Sequence, residues 1–280
     1  MIKFAIISDI HGNVPALQAV LEDIEQWQPD KLVINGDIVS RGPYSDKVLD
    51  ILQSLALDKI YLKGNHEDFV LFAHHNPIDK NQFDYHLRCF AQWTAKQLGA
   101  QKLDEIKQWG DNFDYSTCAP VKTIHITHGS RLSNRDGIHF NLSEDELKEK
   151  AVHHSDVFIS SHTHLPMIRH LEETLVINTG SVGQPLDGDR RSAYGQLVID
   201  DDKLWGNIAR IKYDKEQADK DFHESGFLLH GGPVAKLIYL EHKHNQRFVG
   251  PFMHKFLEKI KAREISVKDA ADIYIKDLAI

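Results

Sequence analysis

Five short segments of this 280-residue chain carry side chains able to hold metal ions or move protons. They are Asp9-Ile10-His11, Gly36-Asp37, Gly64-Asn65-His66-Glu67, His128-Gly129 and His162-Thr163-His164. Each reads as a loop leaving a strand, and in open α/β sheets ligands collect at the carboxyl ends of the strands. Carboxylate and imidazole together suit a pair of hard-to-borderline divalent ions, and a shared carboxylate holds such a pair at ~3.5–4 Å. Asp37 is the natural bridge. Residues i and i+2 of an extended stretch point the same way. Asp9 with His11, and His162 with His164, are therefore expected to enter one pocket, with Thr163 facing away. Any one segment alone is ordinary turn or cap chemistry. The inference rests on all five in order.

The surrounding sequence predicts the elements that position them. Ile2 to Ser8 is an apolar run ended by Gly12 and Asn13, before an amphipathic stretch from Val14 to Trp27. Strand, loop and helix recur: Lys31 to Asn35 a strand, Pro43 to Leu55 a helix, Lys59 to Leu62 a strand before Gly64. This alternation predicts an α/β layer with a mostly parallel sheet. From Glu67 to about Trp109 the spacing of Phe69, Phe72, Phe90, Trp93 and Leu98 reads as a helical insertion. Strands are expected at Val121 to Thr127, Val157 to Ser160, Met167 to Leu171, Thr174 to Asn178, Ala193 to Ile199 and Leu204 to Ile211. Ser143 and Glu146 form a capping box for a helix reaching Ala151. After Tyr213 the chain turns helical, and a boundary is placed near residue 245. This gives a main domain at 1–245, with 67–110 as its cap, and a helical extension at 246–280.

Composition narrows the function classes. Forty-one acidic against 33 basic residues leave a formal charge of −8, so no general field attracts a nucleic-acid backbone. Bound divalent ions would reverse the potential locally, so anionic small molecules stay open. Cys89 and Cys118 are too few for a disulfide framework or a structural zinc site. No run is long and apolar enough to span a bilayer or form a leader before Asp9. A cytoplasmic location without membrane association is expected. There is no nucleophile elbow and no Walker loop.

The order Asp-x-His, Gly-Asp, Gly-Asn-His-Glu, His-Gly, His-Thr-His resembles the calcineurin-like metallophosphoesterase superfamily. SDIHGN, KGNHE, THGS, SHTHLP and INTGSVGQPLDGDRRSAYG resemble its small prokaryotic phosphodiesterase-like branch, with coverage to about residue 240. The resemblance implies an α/β fold, the four-layer αββα sandwich of two mixed sheets flanked by helices, and hydrolysis of phosphomonoesters or phosphodiesters. It implies one ion on Asp9, His11, Asp37 and His164, and another on Asp37, Asn65, His128 and His162. Two divalent ions are expected, Mn²⁺ first, with Fe, Zn, Ni or Co accepted by the same O/N donors. A bridging water, hydroxide near neutral pH, would attack in line. His66 would stand beside the substrate and protonate the leaving oxygen or stabilise charge on it. Arg41 would hold a phosphoryl oxygen in its fork.

Two positions, Ser40 and Thr179, depart from the pattern. Protein serine/threonine phosphatases of the superfamily carry, where Ser40 sits, an Asp that partners the catalytic histidine. His66 here needs another orienting group. Those phosphatases also lack a His-x-His block, whereas Arg41 and Glu67 echo them, so a protein or dinucleoside polyphosphate phosphatase is the rival enzyme. A metal-stabilised scaffold without turnover is the rival outside catalysis. Thr179 replaces the proline usual before Gly-Ser in the narrower branch.

Other candidates have plainer readings. Most of the 18 histidines are expected not to be ligands: His74, His75, His153, His154, His242 and His244 to be solvated, and His125 to be a satisfied core residue. The loop from Gly180 to Pro185 reads as a structural turn bracing the site in preference to an anion cradle. Arg190 or Arg191 is a candidate substrate contact by proximity to that loop. The helices after residue 245 are a candidate homodimer surface.

Overall fold

Apolar runs that alternate in facing direction build the first sheet. The computed structural model describes residues 1–79, 85–117, 122–151, 154–200 and 203–278. β1 (Ile2–Ile7), β2 (Lys31–Asn35) and β3 (Lys59–Leu62) pair in parallel through the crossover helices α1 (Val14–Trp27) and α2 (Ser45–Ser54). α1 starts where predicted, because the Asn13 side chain accepts the Ala16 amide and Pro15 occupies the first turn. α3 (Asn65–His75) and α4 (Tyr85–Ile106) follow where helices were expected, with α4 broken at Gly99, whose φ is 71°.

The second sheet begins with β4 (Asn112–Ser116), which the sequence reading did not anticipate, and β5 (Thr123–Thr127). The predicted start of β5 at Val121 lies outside the described residues. α5 (Glu144–Ala151) carries the predicted capping box: Ser143 Oγ accepts the Glu146 amide at 3.2 Å and Glu146 Oε2 accepts that of Ser143 at 2.8 Å. Then come β6 (Val157–Ser160), β7 (Met167–Leu171) and β8 (Thr174–Asn178). β9 (Ser192–Asp200) and β10 (Lys203–Ile211) return to the first sheet. The strand orders are β10-β9-β1-β2-β3 and β4-β5-β6-β8-β7, each mixing parallel and antiparallel pairs.

Alternate residues of each strand serve two different cores. Phe4, Ile6 and Val33 meet Ile126, Ile159 and Ile177 between the sheets. Ala5, Ile7, Leu32 and Ile34 face the helices on the other side. Phe158 and Val176 pack outward with Leu147 of α5. Burial on both faces is why these strands read as continuous apolar runs instead of alternating ones. Each of these Val, Leu, Ile and Phe side chains contributes about 1.5–3 kcal/mol on burial. The result is the four-layer α/β sandwich.

The remainder is helical: α6 (Lys215–Glu224), α7 (Phe227–His230), α8 (Pro233–His244), α9 (Val249–Lys261) and α10 (Val267–Asp277). Leu237 and Ile238 of α8 share one apolar cluster with Phe252, Phe256 and Tyr274, so helices on both sides of residue 245 pack together. Among the described residues no helix is long and apolar enough to cross a membrane.

Candidate metal centre

The ligand loops leave the ends of β1, β2, β5 and β6 and the start of α3 on one rim of the sandwich. Two groups form there: Asp9, His11 and His164, and Asp37, His128 and His162, with the donor atoms of each group within 4.8 Å of one another. His164 Nε2 lies 3.1 Å from Asp9 Oδ1 and 3.2 Å from His11 Nε2. Asp37 Oδ2 reaches both groups, 3.9 Å from His11 Nε2 and 3.4 Å from His128 Nε2. Asn65 joins the second group, its Oδ1 3.3 Å from His128 Nε2. All seven residues named from the sequence as ligands are thus brought together.

The reason they converge differs from the one expected. Asp9, His11, Asp37, His162 and His164 all have positive φ, between 51° and 65°. The i, i+2 pairs enter the pocket from left-handed backbone, not from extended strand. Such conformations cost non-glycine residues of order 1–3 kcal/mol each and persist where surrounding bonds over-determine them. Those bonds are visible here. Asp9, His11 and Gly12 amides donate to the Gly36, Asp37 and Ile38 carbonyls, so the first two loops hold each other.

Glu67 fixes the Asp37 loop from beneath. Its Oε2 accepts the amides of Asp37 and Gly64, both at 2.7 Å, and its Oε1 those of Ile38 and Val39, at 2.8 and 3.1 Å. Asp37 Oδ1 in turn accepts the His66 amide at 2.8 Å. A side chain at position 64 would put its Cβ 2.2 Å from Asp37 Oδ1, so glycine is required. Burial and the Asp37 charge push the Glu67 carboxyl up to about 7, against the pull of the bonded amides.

The predicted turn at Gly180 to Pro185 is a brace. Val182 and Gly183 amides donate to the Ser8 and Asp9 carbonyls, and Ser181 Oγ donates to Asp9 at 2.8 Å. Those donors are thereby committed to the protein itself. Thr179 explains its departure from proline: its Oγ1 lies 3.0 Å from Ser8 Oγ and 2.9 Å from Ser161 Oγ, stitching the two sheets together. Its amide also donates to Ser160, a bond proline could not make.

The residues fit divalent cations. His128 Nδ1 donates to the Asn35 carbonyl at 2.8 Å and His164 Nδ1 to that of Gln184 at 2.5 Å, which leaves each Nε2 as the lone-pair donor. Asp9 Oδ1 is buried without a hydrogen bond. For His128, burial acts to lower the pKa, but the Asp37 and Asp9 carboxylates outweigh it and raise the imidazole to about 10. That attraction for a proton is one a metal ion would satisfy in its place.

A cavity of about 490 Å³ opens over Asp37, Asn65, His162 and His164. His66 and Arg41 also line it. His66 Nδ1 lies 3.3 Å from Ser40 Oγ, so the serine is itself the orienting group. Burial is the main cause that pulls His66 down, to about 3. Arg41 is turned partly inward: its Nε donates to Gln184 Oε1 at 3.0 Å and its guanidinium pairs with buried Glu241 of α8. Neither Arg190 nor Arg191 lines the cavity among the described residues, and Arg191 pairs with Asp189 at 2.7 Å.

Sequence reading missed Asp136, Lys150, Glu241 and Arg247 on the same wall. They lie in no recognisable motif, and only the tertiary fold brings them to the pocket. His242, expected to be solvated, is buried with its ring 4.7 Å from Phe222. His125 is buried, with Asp114 2.7 Å away, as a satisfied core histidine should be.

Known proteins resemble this chain in sequence and in fold. The chain is 29% identical over 208 residues to the phosphodiesterase YfcE of Escherichia coli, covering 71% of this chain and 89% of that one. It is 34% identical over 105 residues to a symmetrical bis(5'-nucleosyl)-tetraphosphatase of Hamiltonella defensa, covering 37% and 35%. In fold it is similar to a metallophosphoesterase from Sphaerobacter thermophilus, with TM-score 0.69 and 22% identity over 87% of this chain and 99% of that one. The family model for calcineurin-like phosphoesterases matches residues 2–178, which hold every candidate ligand, and the chain belongs to that family.

Proposed function

We propose that this chain hydrolyses phosphomonoester or phosphodiester bonds of small, nucleotide-like molecules, using two divalent metal ions of which Mn²⁺ is the first choice. The observation that carries the reading is Asp37, whose Oδ2 is shared by two ligand groups at the floor of one cavity. Divalent ions held there supply a lowered pKa for coordinated water and polarise phosphoryl oxygens. Asp9, His11, Asp37 and His164 would hold one ion, and Asp37, Asn65, His128 and His162 the other.

The chain's own residues do the rest. A Ser40 hydroxyl donating to His66 Nδ1 keeps the proton on Nε2, where it can bond the leaving oxygen. Arg41 spends two of its five donors on Gln184 and Glu241 and has others for a phosphoryl oxygen. The cavity volume falls within the 300–1,000 Å³ range ordinary for small-molecule sites, which favours compact substrates over a phosphoprotein. The dinucleoside polyphosphate reading stays as the rival, supported by Arg41, Glu67 and the tetraphosphatase relative. We assign residues 1–245 to the catalytic domain, with 67–110 as its cap, and 246–280 to a helical extension. Support comes from the family match within the first part and from α9 and α10 in the second.

The test is a panel of aryl phosphomonoester, aryl phosphodiester, nucleotides and phosphopeptide, run with each divalent ion. Hydrolysis of the first three classes over phosphopeptide is expected. No hydrolysis with any ion would favour the scaffold reading.

A further inference from the structure

Arg41, Lys150 and Arg247 put three cationic side chains on the cavity wall. Two are matched to carboxylates: Arg41 pairs with Glu241 and Lys150 with Asp136. Arg247 differs. Among the described residues no carboxylate pairs with it, and its Nη2 donates to the Thr163 carbonyl at 2.7 Å. A guanidinium has five N–H donors, so one bond to a neutral carbonyl leaves most of them, and the whole charge, for another partner.

Its position is built. Thr163 separates the His162 and His164 ligands, so the tether keeps the guanidinium beside the ligand groups. The next two amides, Phe248 and Val249, donate at 2.7 and 2.8 Å to Oε1 of buried Glu241, whose other oxygen holds Arg41. One carboxylate of α8 therefore sets the place of both arginines while neutralising only the first.

We propose that Arg247 is a specificity-determining residue that binds a second anionic group of the substrate. The preferred esters then carry negative charge beyond the phosphoryl group being cleaved, as nucleoside polyphosphates and bisphosphates do. This rests on the phosphoesterase reading above and adds a substrate class to it. Planar guanidinium suits phosphate oxygens through paired bonds, which an ammonium cannot reproduce.

Calorimetric titration of the Mn²⁺-loaded protein with α,β-methylene-ADP and with phenylphosphonate compares a ligand having a second phosphate with one having none. Arg247→Ala is expected to weaken the first about tenfold or more, the size of a charged hydrogen bond, and the second less than about twofold. Arg247→Lys should recover part of the loss. In parallel, kcat/KM for ADP relative to p-nitrophenyl phosphate should fall in Arg247→Ala, through KM. Equal losses for both ligands would make Arg247 a support of the histidine loop and overturn the proposal, as would no loss for either. A persisting calorimetric contrast without turnover of any ester would sustain the Arg247 assignment and sink the phosphoesterase reading.

Discussion

Replacing Glu67 by Gln tests whether one buried carboxylate builds the Asp37 loop. The carboxylate accepts four backbone amides, two on each oxygen, from Gly64, Asp37, Ile38 and Val39. Glutamine offers one oxygen and one NH₂, so in either orientation two of the four amides face a donor. An unsatisfied buried amide costs about 1–3 kcal/mol, giving a total of about 2–6 kcal/mol. Urea unfolding of wild type and variant without added metal measures that loss directly. Metal affinity should fall as well, because the amide of Asp37 is one of those released. A stability loss under about 1 kcal/mol with unchanged metal affinity would refute the reasoning, since surface-like tolerance is incompatible with four native bonds.

Other consequences are equally open to measurement. His66→Ala should retain its metal ions by elemental analysis while kcat falls roughly 10²-fold, as for loss of one hydrogen-bond donor to the leaving oxygen; full turnover would remove the role given to it. Gly183→Ala would place Cβ 1.8 Å from the Ile10 carbonyl oxygen, a backbone atom, and should cost more than about 3 kcal/mol in urea unfolding. Burial, then the Lys215 charge, pulls His242 down to about 3 from the ordinary 6.5. The unfolded chain takes up a proton near 6.5 that the folded chain refuses until about 3, so this contribution is whole above 6.5 and lost as pH falls. Between neutrality and pH 5 wild type should lose about 2 kcal/mol through this group, and His242→Leu should not. Identical pH dependence in the two proteins would contradict that assignment.

The convergence of the candidate ligands was legible because metal chemistry restricts residue type and order, and because two-sided burial makes β1, β2, β6 and β8 read as apolar runs. β4 was missed for the opposite reason: Phe113 and Tyr115 alternate with polar residues over only five positions at a sheet edge. The left-handed backbone at Asp9, His11, Asp37, His162 and His164 was also hidden. Nothing in those residue types demands it; it comes from bonds to loops distant in sequence, such as Gly183 to Asp9. Arg41 could be named from its motif, but not the pairing with Glu241, 200 positions away, that sets its direction. Burial of His242 depends likewise on Phe222 and Lys215, which helical context alone does not place.

The central claim is that Asp37 joins two ligand groups into one hydrolytic centre. Elemental analysis during Mn²⁺ titration, with turnover of bis-p-nitrophenyl phosphate followed in the same samples, tests it most directly. Two ions per chain are expected at saturation, with turnover rising as the second equivalent binds, and Asp37→Asn should lose both occupancy and activity. A single ion per chain at full turnover, or an Asp37→Asn protein that keeps both ions and its activity, would contradict the account.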